Sequence, residues 1–234
     1  MKNLIVKFRD VEIKLDSELE IKNLSIEIYK GEFVYLIGKT GSGKSSILKS
    51  MYAEKKIISG EAYISDINLR TIYDKEIPFL RRKIGIIFQD FQLLNDRNVF
   101  KNLEFVLKAT GWSDRFKINE RIKLCLEKVH ILNLADKLPG KLSGGQKQKV
   151  AIARSILNDP EIIIADEPTG NLDPKSSIEI MKVLKEINSN GNTILMATHD
   201  FGIINKFSGK TLRCNEGKID EIELKNLDLE TIYA

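Results

Sequence analysis

A glycine-rich segment between an apolar run and a helical pattern places the strongest limit on how this chain of 234 residues can fold. The segment follows the apolar run Phe33–Ile37 and precedes a helical pattern over residues 46–51. Its residues are Gly38, Lys39, Thr40, Gly41, Ser42, Gly43, Lys44 and Ser45. Glycines let the backbone approach a phosphate, so that successive N–H groups point at one anion, and the following helix adds its positive end. The pattern therefore predicts an α/β fold with a phosphate-binding loop.

The polar side chains of this loop predict what it holds. Lys44 is expected to reach the outer phosphates of a nucleotide, and the hydroxyl of Ser45 is expected to bind Mg²⁺. Ser46, the next residue, is also expected to contact the nucleotide. The sequence thus predicts ATP and Mg²⁺ as cofactors.

A second apolar strand, predicted at residues 162–165, ends in the acids Asp166 and Glu167. The carboxyl ends of parallel strands meet at one edge of a sheet, and ligands bind there. Asp166 is expected to bind Mg²⁺ through water, and Glu167 is expected to orient or deprotonate the attacking water. Beside a phosphate-binding loop, these acids predict nucleotide hydrolysis rather than binding alone.

The rest of the pattern predicts a single domain over residues 1–234. Apolar positions at residues 4–8 and 19–29 predict an antiparallel N-terminal part, and the run at 83–89 predicts another buried strand. Thr193–Ala197 is a further short strand of the kind buried in a parallel sheet.

The middle of the chain changes from strand to helical spacing. Apolar residues recur on one helical face over about residues 91–158, with Asn98 and Asn119 as predicted helix starts. We therefore expect a helical subdomain there, inserted into a nucleotide-binding core of residues 1–90 and 159–234.

The C-terminal third predicts a crossover and a hairpin. Asp173 and Pro174 supply a cap and a first-turn proline for a helix between two strands, which implies a right-handed parallel crossover. The stretch 211–222 resembles a hairpin around Asn215.

Composition and charge argue against several other classes of protein. With 42% hydrophobic residues the chain can bury a core, yet it has no apolar run of about 18 residues to cross a bilayer. Its start lacks the pattern of a signal peptide, so we expect a cytoplasmic protein. A net charge of +4 is low for nucleic-acid binding, and no nucleic-acid partner is expected. The isolated Cys125 and Cys214 argue against a zinc or redox site.

A five-residue motif resembles the signature of the ABC transporter ATPases. It consists of Leu142, Ser143, Gly144, Gly145 and Gln146, and it lies between the phosphate-binding loop and the acidic strand, in the order of that family. The resemblance covers about residues 4–220. It implies that Gln89 touches Mg²⁺ and reports to a membrane partner, that Asp173 belongs to the nucleotide-contacting D-loop, and that His199 contacts the γ-phosphate.

The signature also has a direct physical interpretation. Ser143 is a good N-cap, and Gly144 and Gly145 expose the first N–H groups of a helix, so this helix terminus can bind an anion. Lys44 already lies in a different anion site. A second site is useful if it closes on a nucleotide held by another copy, and the family resemblance implies such a head-to-tail homodimer around two ATP molecules.

One element of the family pattern is missing. Relatives usually place an aromatic residue under the adenine, and here Leu15 occupies that position. Apolar contact would replace stacking there, which predicts weak selection between purines.

The segment 81–97 is similar to the cell-division ATPases of the FtsE family. That resemblance implies an integral membrane, FtsX-like partner and a location on the inner face of the cell membrane. We also expect Phe91, Leu93, Leu94 and Arg97 to line a groove that receives the partner.

Three alternatives remain open from the sequence. The first is an ATPase of a lipoprotein-releasing or macrolide-efflux transporter, which shares the residues of the 166–173 run. The second, a soluble non-transport ABC ATPase, is disfavoured by the short stretch between the loop and the signature and by the single ATPase domain. The third, a binding module without hydrolysis, is disfavoured by Glu167 and His199.

Overall fold

The computed structural model describes residues 3–14, 21–215 and 218–222, and these residues form two sheets with helices packed around them. The predicted fold class is confirmed: an α/β core with a mixed sheet, an antiparallel N-terminal part and inserted helices.

The first sheet is antiparallel. Its strands are β1 (Leu4–Ile13), β2 (Ile21–Tyr29), β4 (Ile57–Ile64) and β5 (Ile67–Asn68), in the order β2-β1-β4-β5. Most side chains that face the core alternate with exposed ones along β2, as expected for a sheet with one solvated face.

The second sheet has six strands and holds the centre of the molecule. In chain order they are β3 (Phe33–Ile37), β6 (Ile84–Ile87), β7 (Ile162–Asp166), β8 (Thr193–Ala197), β9 (Lys210–Asn215) and β10 (Lys218–Ile222). The spatial order is β10-β9-β3-β8-β7-β6, and every pair is parallel except β9 with β10. The predicted C-terminal hairpin is thereby confirmed, although its tip at residues 216 and 217 lies outside the described range.

Strand β3 is buried along its whole length because both of its faces are covered. On β3, Val34 and Leu36 pack towards the antiparallel sheet and helix α1 (Lys44–Met51). Phe33, Tyr35 and Ile37 pack on the other side, among the remaining helices. This is the burial expected of parallel strands with both faces covered.

The remaining helices are α2 (Ile77–Arg82), α3 (Val99–Ala109), α4 (Arg115–Lys128), α5 (Gly144–Ser155), α6 (Pro174–Ser189) and α7 (Phe201–Lys206). Helices α3 to α5 follow β6 and precede β7 in the chain, as the sequence predicts for the insertion. None of the helices within the described ranges combines the length and apolar character that a bilayer crossing requires.

Side-chain caps mark where helices α3 to α7 begin, and one predicted start is wrong. Asn98 caps α3 by accepting from the Lys101 N–H, as expected. Helix α4 instead begins after Asp114, whose carboxylate accepts two N–H groups of its first turn. Asn119 lies in the interior of that helix. The N–H groups that follow Asn119 lie inside the helix and bond to carbonyls of the preceding turn, which leaves none for Asn119 to cap.

The parallel strands bring four loops to one edge of the sheet. The segments that follow β3, β6, β7 and β8 all leave from the carboxyl ends of these strands. These segments hold the phosphate-binding loop, Gln89, Glu167 and His199, so the candidate site lies along this edge.

Candidate active site

The phosphate-binding loop is folded as an open cradle. Gly38, Gly41 and Gly43 have φ angles of 151°, 85° and 102°, which side chains rarely adopt. A Cβ on Gly38 would lie 2.3 Å from the carbonyl oxygen of Cys214, so only glycine fits there. The tip at Lys39, Thr40 and Gly41 is exposed.

The polar side chains of the cradle are positioned so that they can bind an anion. Lys44 is 7% exposed, and its Nζ donates to the carbonyl oxygens of Gly38 at 2.8 Å and Lys39 at 2.9 Å. The buried hydroxyl of Ser42 has no hydrogen-bond partner among the described residues. Ser46 lies in the first turn of α1. A buried lysine and an unsatisfied hydroxyl beside a helix start suit phosphate binding.

Ser45 and Asp166 meet across the end of β7. Their side chains are hydrogen-bonded to each other. Burial raises the pKa of the Asp166 carboxyl, and the bond from Ser45 opposes that shift. Among the described residues no group of three or more His, Cys, Asp and Glu side chains is placed to hold a metal. A hydroxyl and a carboxylate alone fit Mg²⁺, which takes its other ligands from phosphates and water.

Glu167 and His199 form a second polar contact, one residue further along. The Nδ1 atom of His199 lies 3.1 Å from Oε1 of Glu167. Glu167 has a φ of 47°, and its N–H donates to the carbonyl of Ala197 on the neighbouring strand. A non-glycine residue rarely adopts a positive φ, so the surrounding structure holds Glu167 in this conformation and thereby sets the direction of its carboxylate.

Gln89 joins this group through the loop after Glu167. A Cβ on Gly170 would lie 3.1 Å from Nε2 of Gln89 and 3.4 Å from Oε2 of Glu167. The side-chain amide of Asn171 donates to the carbonyl oxygen of Gln89 at 3.1 Å. The structure therefore brings Gln89, Glu167 and His199 together around Gly170.

The signature residues lie in a different place. Ser143 and Gln146 form a capping box at the start of α5, which confirms the predicted cap. Ser143, Gly145, Gln146 and Asp173 line a cavity of about 440 Å³. None of the loop residues 38–45, all of which are described, lines that cavity. Gly144 faces Leu172, and a Cβ there would lie 3.1 Å from its side chain.

A groove of about 310 Å³ lies between α2 and α3, and we call it the α2–α3 groove. Its lining includes Arg81, Arg82, Phe88, Val106, Ala109 and Arg154.

The residues that the sequence predicted to line a partner groove do not line the α2–α3 groove, so the prediction is wrong for this groove. They are Phe91, Leu93, Leu94 and Arg97. Leu93 packs against the core, and the N–H of Leu94 is bonded to Asn102. The Arg97 guanidinium lies over the ring of Phe105.

Sequence reasoning missed two residues of this region. The Asn171 contact to Gln89 could have been suspected, because Asn171 belongs to the D-loop motif. Arg154 gave no sequence signal, since its partners are backbone carbonyls of a distant segment. Leu15, the predicted adenine contact, lies outside the described residues.

The comparison with family models decides the family. The ABC transporter model matches residues 21–170. The chain belongs to the ABC transporter family. Relatives of this ABC ATPase include the cell division ATP-binding protein FtsE of Bacillus subtilis, 46% identical over 85% of this chain and 87% of the relative. The FtsE of Streptococcus pneumoniae D39 is 40% identical over 94% of this chain and 96% of the relative.

Solved structures of ABC cassettes share the fold of this ABC ATPase. The dimeric, post-hydrolysis structure of the cassette MJ0796 with ADP and Pi has a TM-score of 0.81 and 34% identity, over 95% of this chain and all of that one. CbiO1 of Clostridium perfringens is part of the transporter complex CbiONQ. It has a TM-score of 0.85 and 31% identity, over 94% of this chain and 88% of that one. This ABC ATPase binds ATP and hydrolyses it.

Proposed function

We propose that this ABC ATPase is the ATP-driven subunit of a membrane complex for cell division. Two copies close around two ATP molecules and drive an FtsX-like membrane protein from the inner face of the cell membrane. The observation that carries this proposal is the separation of two anion sites in one chain. The signature residues line a cavity to which the phosphate-binding loop contributes no residue, so a complete ATP site requires a second copy.

The phosphate-binding loop supplies the binding half of the reaction. Lys44 exchanges its two carbonyl partners for the outer phosphates, and the unpaired hydroxyl of Ser42 gains an acceptor there. Ser45, Asp166 and Gln89 are the residues that would hold Mg²⁺. That ion would neutralise charge on the phosphates.

Glu167 supplies the hydrolytic half. Its carboxylate takes a proton from the attacking water, or orients that water. His199 holds the carboxylate through its Nδ1 atom and faces the γ-phosphate. Gln89 contacts the same space across Gly170. A displacement of Gln89 would therefore reach the catalytic carboxylate directly.

The second copy supplies the other half of the site. Gly144 and Gly145 offer the free N–H groups at the start of α5 to the γ-phosphate held by the facing subunit, beside the capping side chains of Ser143 and Gln146. Asp173, which shares their cavity, approaches the same nucleotide. The dimeric form of the MJ0796 cassette supports this arrangement.

The partner assignment rests on the relatives and on the α2–α3 groove. Relatives with 37–46% identity carry the name cell division ATP-binding protein FtsE. The groove offers the apolar side chains Phe88 and Val106 beside the cations Arg81 and Arg82. That chemistry suits a short amphipathic helix with acidic side chains, presented by a membrane protein.

Purification of the complex in detergent tests the proposal. We expect a tagged copy of the chain to bring down an FtsX-like membrane protein, and cells depleted of the chain to filament or fail to separate. Capture of a lipoprotein-releasing or efflux permease from cells that divide normally would replace the division role with transport.

A further inference from the structure

Arg154 connects the signature helix to the loop after Gln89. It lies near the C-terminal end of α5, and its guanidinium donates to the carbonyl of Phe91 at 3.0 Å and to the carbonyl of Gln92 at 2.5 Å. Two bonds from one planar guanidinium fix both the position and the orientation of the segment that accepts them.

The segment that Arg154 holds has an unusual backbone. Phe91 and Gln92 have φ angles of 61° and 47°, and neither residue is a glycine. Consecutive side-chain-bearing residues in the left-handed region are costly and persist only when their surroundings hold them there. Asn171 holds the other end of the segment through the carbonyl of Gln89. The loop from Gln89 to Gln92 is therefore fixed from two sides.

Arg154 makes these bonds from a partly buried position rather than from the open surface. Burial lowers the pKa of the guanidinium, and the nearby Asp90 opposes that shift. An arginine nevertheless stays charged, so its charge must be satisfied by the carbonyls and by Asp90. Arg154 also lines the α2–α3 groove, beside Phe88 and Val106.

Three features of the molecule thus meet at one side chain. The backbone of Arg154 belongs to the signature helix, its guanidinium holds the loop after Gln89, and its side chain faces the groove. We propose that Arg154 is the positioning residue through which a segment seated in the α2–α3 groove acts on Gln89 and on the signature helix together. The loop-holding part of this proposal stands alone, whereas the part about groove occupancy rests on the proposed function.

The chain offers a matched control in Arg121. This arginine on α4 also donates to two backbone carbonyls, those of Ile156 at 2.6 Å and Leu157 at 2.8 Å, just beyond the end of α5. It is absent from the lining of the groove and binds no carbonyl of the 89–92 loop among the bonds of the described residues. Arg121→Lys therefore reproduces the loss of a two-carbonyl contact without touching the groove or the loop after Gln89.

The first test uses the chain alone and reads hydrogen exchange. The N–H of Gln92 is bonded to the carbonyl of Asp90, and that of Leu94 to Asn102, so both report on the loop. In Arg154→Lys we expect their exchange to rise by about tenfold or more, because lysine cannot bind two carbonyls as a fork. Arg121→Lys should leave both amides at the wild-type rate. Unchanged exchange in Arg154→Lys, or equal loosening in the control, overturns the proposal.

The second test uses the complex with its membrane protein. We expect Arg154→Lys to be captured by the membrane protein but to lose most of the partner-dependent rise in ATPase rate, while Arg121→Lys keeps the wild-type ratio. Full stimulation of Arg154→Lys would overturn the route through the groove. If the wild-type chain captures no membrane protein, the proposed function fails, and the exchange experiment still decides whether Arg154 holds the loop.

Discussion

Glu167 shows how much of the geometry of the candidate site is fixed by single residues. Its backbone is held at a positive φ by a bond to Ala197, and its carboxylate meets Nδ1 of His199. The sequence predicted Glu167 from its place after an apolar strand, and the family resemblance implied the role of His199. It could not predict their contact, because the distance between them depends on how β7 and β8 align in the sheet.

Removal of the charge at Glu167 tests its role as the base. Glu167→Gln keeps the shape of the side chain but cannot accept a proton, so we expect ATP turnover to fall by a factor of about 10²–10⁴. ATP binding should be retained, because the phosphate-binding loop is untouched. Phosphate release and nucleotide binding measured on the same sample check this. Turnover near the wild-type rate would rule out Glu167 as the base.

Gly170 provides a second test at this scale. In Gly170→Ala the new Cβ would crowd Nε2 of Gln89 and would contact the carboxylate of Glu167. We expect turnover to fall by about tenfold or more with ATP binding retained, because small displacements of positioned groups are costly. Gly140→Ala is the matched control, since a Cβ there meets nothing within 4 Å. Equal rates for the two variants would show that the contact around Gly170 does not matter.

Strands and helices could be predicted from sequence where a local pattern of residues determines the structure. Strands β3 and β8 coincide with the predicted apolar runs, because strands buried on both faces need no alternation. Strand β4 was missed, since Gly60 interrupts its pattern. That glycine has a φ of 86° and lies against the Asp10 carbonyl, where the pairing of β1 with β4 shifts register. Such an irregularity removes the alternation that identifies a strand.

The corrected start of α4 leads to a stability prediction. We expect Asp114→Ala to lower the free energy of unfolding by about 1 kcal/mol, because two N–H groups of the first turn lose their acceptor. Asn119→Ala, inside the same helix, should change it by less than about 0.5 kcal/mol. Urea unfolding of both variants measures the difference. A larger loss for Asn119→Ala would restore the start predicted from sequence.

At the scale of the whole molecule, the proposed homodimer requires that one chain carries halves of two different ATP sites. Signature residues and Asp173 line one cavity, and none of the loop residues 38–45 lines it. The sequence predicted the members of both groups from motifs. It did not predict the α2–α3 groove, because this groove is built from α2, β6, α3 and α5, whose relative positions no local pattern contains.

Complementation between two inactive variants tests this account most directly. Lys44→Ala removes nucleotide binding from the loop, and Ser143→Arg fills the space that the facing γ-phosphate needs. Each variant alone should show almost no ATP turnover, although Ser143→Arg should still bind ATP. In an equal mixture half of the dimers contain both variants, and each of these has one intact site, so turnover should recover to about a quarter of the wild-type rate. A mixture no more active than its parents, or Ser143→Arg with wild-type turnover on its own, would contradict an ATP site shared between two copies.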